Sequence, residues 1–239
     1  MLFEDQKNPC WVFEELRKRG DFTSNLRVVR KVKNDREVGI ASIALLKACA
    51  KKKDLHKGIS LHGDMLKTGL LGRNRYVRST LISMYAKCGA LIRAREVLFE
   101  IPNRDVVSWN ALIAGYAQQG EGEKTLECLK EMEHEGIAPN TVTFRSLLQA
   151  CSYSGLVDEG QMLFTIMSRI YGIIPDLEHH ACLVDLFGRA GLLEEAERFV
   201  YKMPYRAHDE IWMTLFSASK LHKDTSLAER AACGTLCNL

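Results

Sequence analysis

A leucine returns at Leu45, Leu81, Leu112, Leu147, Leu183 and Leu215, each opening a similar apolar stretch, so the chain repeats itself with a period of about 35 residues. Such a period demands a stack of small supersecondary units, none able to bury its apolar face alone, in place of one central core. With leucine at position seven, the units start at Gly39, Arg75, Val106, Thr141, Leu177 and Asp209. They run for 36, 31, 35, 36 and 32 residues before a last, unfinished one.

Other positions keep this register. Position fifteen is glycine in four units, at Gly89, Gly120, Gly155 and Gly191, where a turn must separate two helices. Position twenty holds Gly58, Ala94, Thr125, Gly160, Ala196 and Ala228, small residues that let helices approach closely. Position twenty-seven is Met65, Ile101, Met132, Met167 and Met203, a core stripe whose information lies in its return. Position eleven (Cys49, Tyr85, Tyr116, Cys151, Phe187) also reads as core.

The pattern predicts an all-α chain of helix pairs. Helices are expected over 41–50 and 55–67, 76–88 and 90–99, 107–118 and 122–134, 142–153 and 156–169, 178–189 and 192–202, and 210–219 and 223–236. Residues 11–19 read as a short amphipathic helix, and 21–38 as a basic connector carrying Arg27, Arg30, Lys31 and Lys33. Pro102, Pro139, Pro175 and Pro204 punctuate the units.

Composition excludes little. The 33 basic and 30 acidic residues leave a formal charge of +3, which permits a nucleic-acid partner without arguing for one. Eight cysteines, several on apolar helical faces, read as buried thiols; Cys233 and Cys237 have helical spacing but no second pair to complete a zinc set. No run approaches the roughly 18 apolar residues of a membrane span. The N-terminal segment carries Glu4, Asp5, Glu14 and Glu15, so it does not read as an acid-poor transit segment; either targeting is absent or the N-terminus is incomplete.

The stretch VVSWNALIAGYAQQGEGEKTLECLKEMEHEGIAPN at 106–140 resembles an almost complete pentatricopeptide repeat, and the unit lengths resemble the plant-type subclass in which long, short and standard repeats alternate. In that light 39–74 resembles a long repeat, 75–105 a short one and 106–140 a standard one. Residues 141–176, with ACSYSGLVDEG, resemble the last long repeat and 177–208 the final short one. The sequence IWMTLFSASK opens what resembles an incomplete extension motif over 209–239, and 1–38 is left as a degenerate helical segment.

The resemblance implies a right-handed superhelical α-solenoid, related to tetratricopeptide arrays, that binds single-stranded RNA in mitochondria or chloroplasts and often serves cytidine-to-uridine editing or RNA processing. One repeat presents one or two side chains to one exposed base. The family's base-facing positions are the fifth and last residues of a repeat. They fall here on Asn110 with Asn140, a pair whose preference is cytidine and then uridine, and on Ser79 with Asp105, associated with guanosine. Alone, Asn110 would read as a cap or turn residue. The fifth residues Ile43, Ala181 and Met213 cannot make edge-specific hydrogen bonds, and Arg145 departs from the readable pattern. Candidate backbone contacts are Arg75, Arg78, Lys51, Lys52 and Arg145, whereas Trp109 and Phe144 at position four favour packing over base stacking.

No catalytic set is expected. Cytidine deamination needs a zinc-bound water, an H-x-E and a P-C-x-x-C arrangement, and the sequence contains neither motif. His179 and His180 lack a following glutamate or paired cysteines and read as structural. In editing members a deaminase-like domain would follow the extension motifs, so a deaminase-bearing protein would be recruited in trans. No cofactor, metal, membrane or small-molecule substrate is implied. The alternative is a protein-interaction scaffold in which 177–239 docks an editing or processing partner.

Overall fold

The computed structural model describes residues 35–101, 103–205 and 207–236, and all regular structure among them is helical. The thirteen helices are α1 Asp35–Lys52, α2 Leu55–Lys67, α3 Leu70–Arg73, α4 Arg75–Lys87, α5 Leu91–Glu100, α6 Val106–Gln118, α7 Gly122–His134, α8 Thr141–Ser154, α9 Val157–Arg169, α10 Leu177–Arg189, α11 Leu193–Tyr201, α12 Asp209–Leu221 and α13 Thr225–Leu236. None is long and apolar enough to cross a membrane. The expected helix over 11–19 and the basic residues Arg27, Arg30, Lys31 and Lys33 lie outside the described residues. The helix α1 includes 35–38, so those residues are helix and not connector, and Gly39 lies inside that helix.

Two compact units meet within α6, one ending at Leu112 and the other beginning at Ile113. In the first, α1 packs on α2 and α4, and α4 packs on α5. In the second, the first helices α8, α10 and α12 stack in turn while α9, α11 and α13 lie beside their own partners. Within each unit the period is thus converted into local interfaces between successive hairpins.

The six position-seven leucines are all buried, as are the position-eleven side chains Cys49, Tyr85, Tyr116, Cys151, Phe187 and Ser219. Burial pushes the Cys49 thiol up to about 11 and the Cys151 thiol up to about 12, so both remain protonated core groups near neutrality.

Position fifteen carries the reversal. Gly89, Gly120, Gly155 and Gly191 have φ of 80, 74, 69 and 77°. The same position in the first and last hairpins holds lysine, and Lys53 and Lys223 adopt φ of 53 and 60°. In all six hairpins the next backbone N–H donates to the carbonyl at position eleven: Asp54 to Cys49, Ala90 to Tyr85, Glu121 to Tyr116, Leu156 to Cys151, Leu192 to Phe187 and Asp224 to Ser219, at 2.9–3.0 Å. This six-to-one bond closes the first helix with a residue in the left-handed region, whatever side chain stands there.

Small residues set the spacing between helices. A Cβ on Gly160 at position twenty would come within 2.3 Å of Leu186 at position ten of the next hairpin, and one on Gly188 within 2.6 Å of the Ala218 Cβ. Polar ties run between the same neighbours: Ser152 donates to Asp185 at 2.5 Å, and Arg230 holds Glu197 through two bonds of 2.7 and 2.8 Å. Arg145 pairs with Glu178. All three ties span 33 residues.

Two outcomes test this frame. A non-glycine residue in the left-handed region costs about 1–2 kcal/mol, and the backbone entropy of glycine recovers part of that. Lys53→Gly and Lys223→Gly are therefore each expected to stabilise the chain by roughly 0.5–1 kcal/mol, read as a later urea midpoint; an earlier midpoint would contradict a strained turn. Conversely, Gly188→Ala meets a Cβ that cannot rotate away and is expected to cost about 1–3 kcal/mol. Adding Ala218→Gly should restore part of the loss in a double-mutant cycle.

Candidate nucleic-acid interface

The residues closing four successive repeats each cap the helix that follows. Asn74 Oδ1 accepts the N–H groups of Tyr76 and Val77 at 3.0 and 3.3 Å, opening α4. Asp105 Oδ1 accepts the Ser108 N–H at 2.9 Å, and Ser108 Oγ accepts the Asp105 N–H at 3.0 Å, opening α6. Asn140 and Thr143 form the same reciprocal box before α8, at 3.1 and 3.0 Å. Asp176 Oδ1 accepts the His179 N–H at 3.2 Å before α10. Each short polar side chain thus satisfies a backbone donor that its helix leaves without an internal partner. Asp105 and Asn140 therefore hold the end of a first turn through Oδ1 in addition to any contact with a base.

In the first unit, the opening turns of α4 lie beside Asp105. Arg75, Arg78 and Ser79 stand at i, i+3 and i+4, one stretch of helical surface. The Ser79 hydroxyl donates to the Tyr76 carbonyl at 3.2 Å, which leaves its oxygen able to accept. Burial would raise the Asp105 carboxyl, but hydrogen bonds from Ser108 and the nearby Arg78 and Arg75 charges outweigh it and hold the group below its usual range. Arg75 Nη2 donates to the Tyr76 hydroxyl at 3.0 Å, its guanidinium 4.9 Å from the centre of that ring. Arg78 Nη1 reaches the Leu71 carbonyl at 3.4 Å. Lys51 and Lys52 end α1 and are exposed, and Lys87, at the same position thirteen as Lys51, ends α4 exposed as well.

Asn110 is neither cap nor turn: it is a buried residue within α6. Arg145, in the first turns of α8, is ion-paired with Glu178 of α10. Ile43 and Ala181 are half-buried, and Met213 is exposed on α12. Trp109 and Phe144 are fully buried, meeting Phe99 edge-on at 6.0 Å and Tyr171 at 5.2 Å, so neither offers a ring to a base.

The histidines have structural work. His179 Nε2 lies 3.0 Å from the Thr141 carbonyl while Nδ1 contacts the Asp176 carboxylate, tying α10 to the start of α8. His180 is buried against Phe164, Phe199 and Tyr205, and that burial lowers its pKa.

One set of residues escapes a reading based on polar positions. Tyr76, Val107 and Val142, the second residues of three consecutive repeats, are apolar yet 55%, 38% and 44% exposed. Each lies three residues before the fifth-position side chain on the same helix, so Tyr76 flanks Ser79, Val107 flanks Asn110 and Val142 flanks Arg145. Their recurrence at one register position is the signal that could have exposed them. At the same position α10 and α12 carry Glu178 and Glu210.

Known proteins agree with this architecture. The model for the PPR repeat matches residues 43–70, 76–106, 142–170 and 181–206, and that for the PPR repeat family matches 104–153. A mitochondrial pentatricopeptide repeat-containing protein of Arabidopsis thaliana is 47% identical over 188 residues, covering 79% of this chain and 24% of its own length. The chloroplastic protein CRR2 of the same plant is 40% identical over 205 residues, covering 86% and 31%. The chain thus spans about a quarter to a third of these two relatives. Among solved structures, the pentatricopeptide repeat protein PPR10 in complex with an 18-nt psaJ RNA element superposes with a TM-score of 0.71 at 19% identity, over 91% of this chain and 32% of that one. The fold is shared, and with repeat matches spread from residue 43 to residue 206 the chain belongs to the pentatricopeptide repeat family.

Proposed function

We propose that this chain is a single-stranded RNA-binding repeat module supporting organellar RNA processing, including cytidine-to-uridine editing, by recognising a site. The carrying observation is the group around α4, where Arg75 and Arg78 stand beside the ionised Asp105 and the accepting oxygen of Ser79. Cations hold phosphates while a carboxylate and a hydroxyl face a base edge, a combination suited to guanosine, whose Watson–Crick edge is rich in donors. The pair Asn110 and Asn140 reads the adjoining pyrimidine. The exposed Tyr76, Val107 and Val142 supply apolar walls beside the reading residues. Lys51, Lys52 and Lys87 extend the backbone contacts.

The RNA held by PPR10 supports this reading, as do the mitochondrial and chloroplastic relatives for an organellar setting. The repeats are 39–74, 75–105, 106–140, 141–176 and 177–208, followed by the extension motif. A second reading, in which 177–239 docks an editing protein, draws on Glu178 and Glu210, acids at a position that is apolar in the three preceding repeats.

Binding of the purified chain to short RNAs randomised around an adjacent guanosine–cytidine pair, at fixed salt, tests the proposal. Ser79→Ala is expected to reduce guanosine preference, and Asn110→Ala pyrimidine preference, each by a few-fold to ten-fold, the worth of about one hydrogen bond. A thermal melt checks that the buried Asn110 change leaves the fold intact. Sequence-indifferent binding by wild type would defeat base reading, and absent binding would defeat the RNA module itself.

A further inference from the structure

The seam between α8 and α10 differs from the face around α4. Arg145 is pinned by Glu178, the second residue of the following repeat, through a single Nη1 to Oε2 contact. Further along the same two helices, Asp185 takes the Ser152 hydroxyl at 2.5 Å and the Arg189 Nε at 2.8 Å, and the Arg189 guanidinium lies 5.1 Å from the centre of the Tyr153 ring. The basic groups of this seam are thus answered from inside the protein. Glu178 is not required to finish the helix start, because Asp176 and His179 already form the capping box of α10.

We propose that Glu178 is an intramolecular competitor for Arg145, standing where an RNA phosphate would otherwise bind, so that the fourth repeat grips the backbone only when this pair opens. The inference rests on the RNA-binding reading and adds to it a specific occupant of one step along the strand. Three features carry it. Arg145 and Glu178 remain 44% and 61% exposed in their side chains, so a polyanion can reach both. The contact uses one guanidinium nitrogen, leaving other donors for a second anion. Exposed pairs of this kind hold only weakly. Arg145 also follows the apolar, exposed Val142 by three residues, the same placement that Ser79 and Asn110 have behind Tyr76 and Val107. It therefore occupies a reading position while its charge is spent on Glu178.

The salt dependence of binding to a random-sequence pool of single-stranded RNA separates this competitor from a merely structural ion pair. Each cation that newly engages a phosphate on a single strand steepens the plot of log affinity against log salt by about 0.7. Glu178→Ala and Glu178→Gln are expected to bind about 3–10-fold tighter than wild type at low salt, with the slope steeper by about 0.7. Arg145→Ala alone should leave the slope unchanged, and Arg145→Ala combined with Glu178→Ala should abolish the added steepness. Wild-type binding with an unaltered slope in both Glu178 variants overturns the competitor and leaves the RNA reading standing. Failure of wild type and variants alike to bind overturns both, and weaker binding by folded Glu178 variants shows that Glu178 orients Arg145 for RNA, the reverse of what is proposed.

Discussion

The reversal at position fifteen is the constraint on which the rest depends. A backbone N–H just past the first helix must reach the carbonyl at position eleven, and it does so only if the intervening residue takes a positive φ. Four repeats meet that demand with glycine; Lys53 and Lys223 meet it under strain. Once the reversal is fixed, the second helix returns along the first. Position twenty can then touch position ten of the next hairpin, as Gly160 does with Leu186, and in the second unit α8, α10 and α12 stack with their first turns in register.

That register explains why chemistry collects where it does. The N-terminus of every first helix leaves unsatisfied N–H groups, which draw short polar side chains to the preceding position. Asn74, Asp105, Asn140 and Asp176 are the result. The fifth residue of the repeat follows within the first turns of the helix so capped. The charges then diverge: basic side chains dominate around α4, while acids answer the arginines of the α8 and α10 seam.

Much of this was legible in the chain itself. Position-seven leucines and position-fifteen glycines return often enough to fix the helix pairs, and eleven of the twelve expected helices begin within two residues of where they are found. For α1 the described helix already covers 35–40, ahead of the expected start at 41. Lysine carries no signal for a positive φ, so the turns at Lys53 and Lys223 followed only from the repeat and not from their own identity. The Asp105 and Asn140 positions are visible by family resemblance, whereas their capping role is written in Ser108 and Thr143 three residues on, the spacing of a reciprocal box. The pairing of Arg145 with Glu178 required the stacked helices, since residues 33 apart meet only once the period has become a distance in space.

These caps have a consequence for any attempt to rewrite this chain. Serine, threonine, asparagine and aspartate are the side chains that close a helix start well, and losing such a cap costs about 1 kcal/mol. A last residue that caps in this way therefore cannot be exchanged freely without loosening the helix that follows. The four repeat ends that close a helix start through a side chain are held to short polar residues by the backbone itself, and His208, which opens α12 without such a bond, is released from that demand.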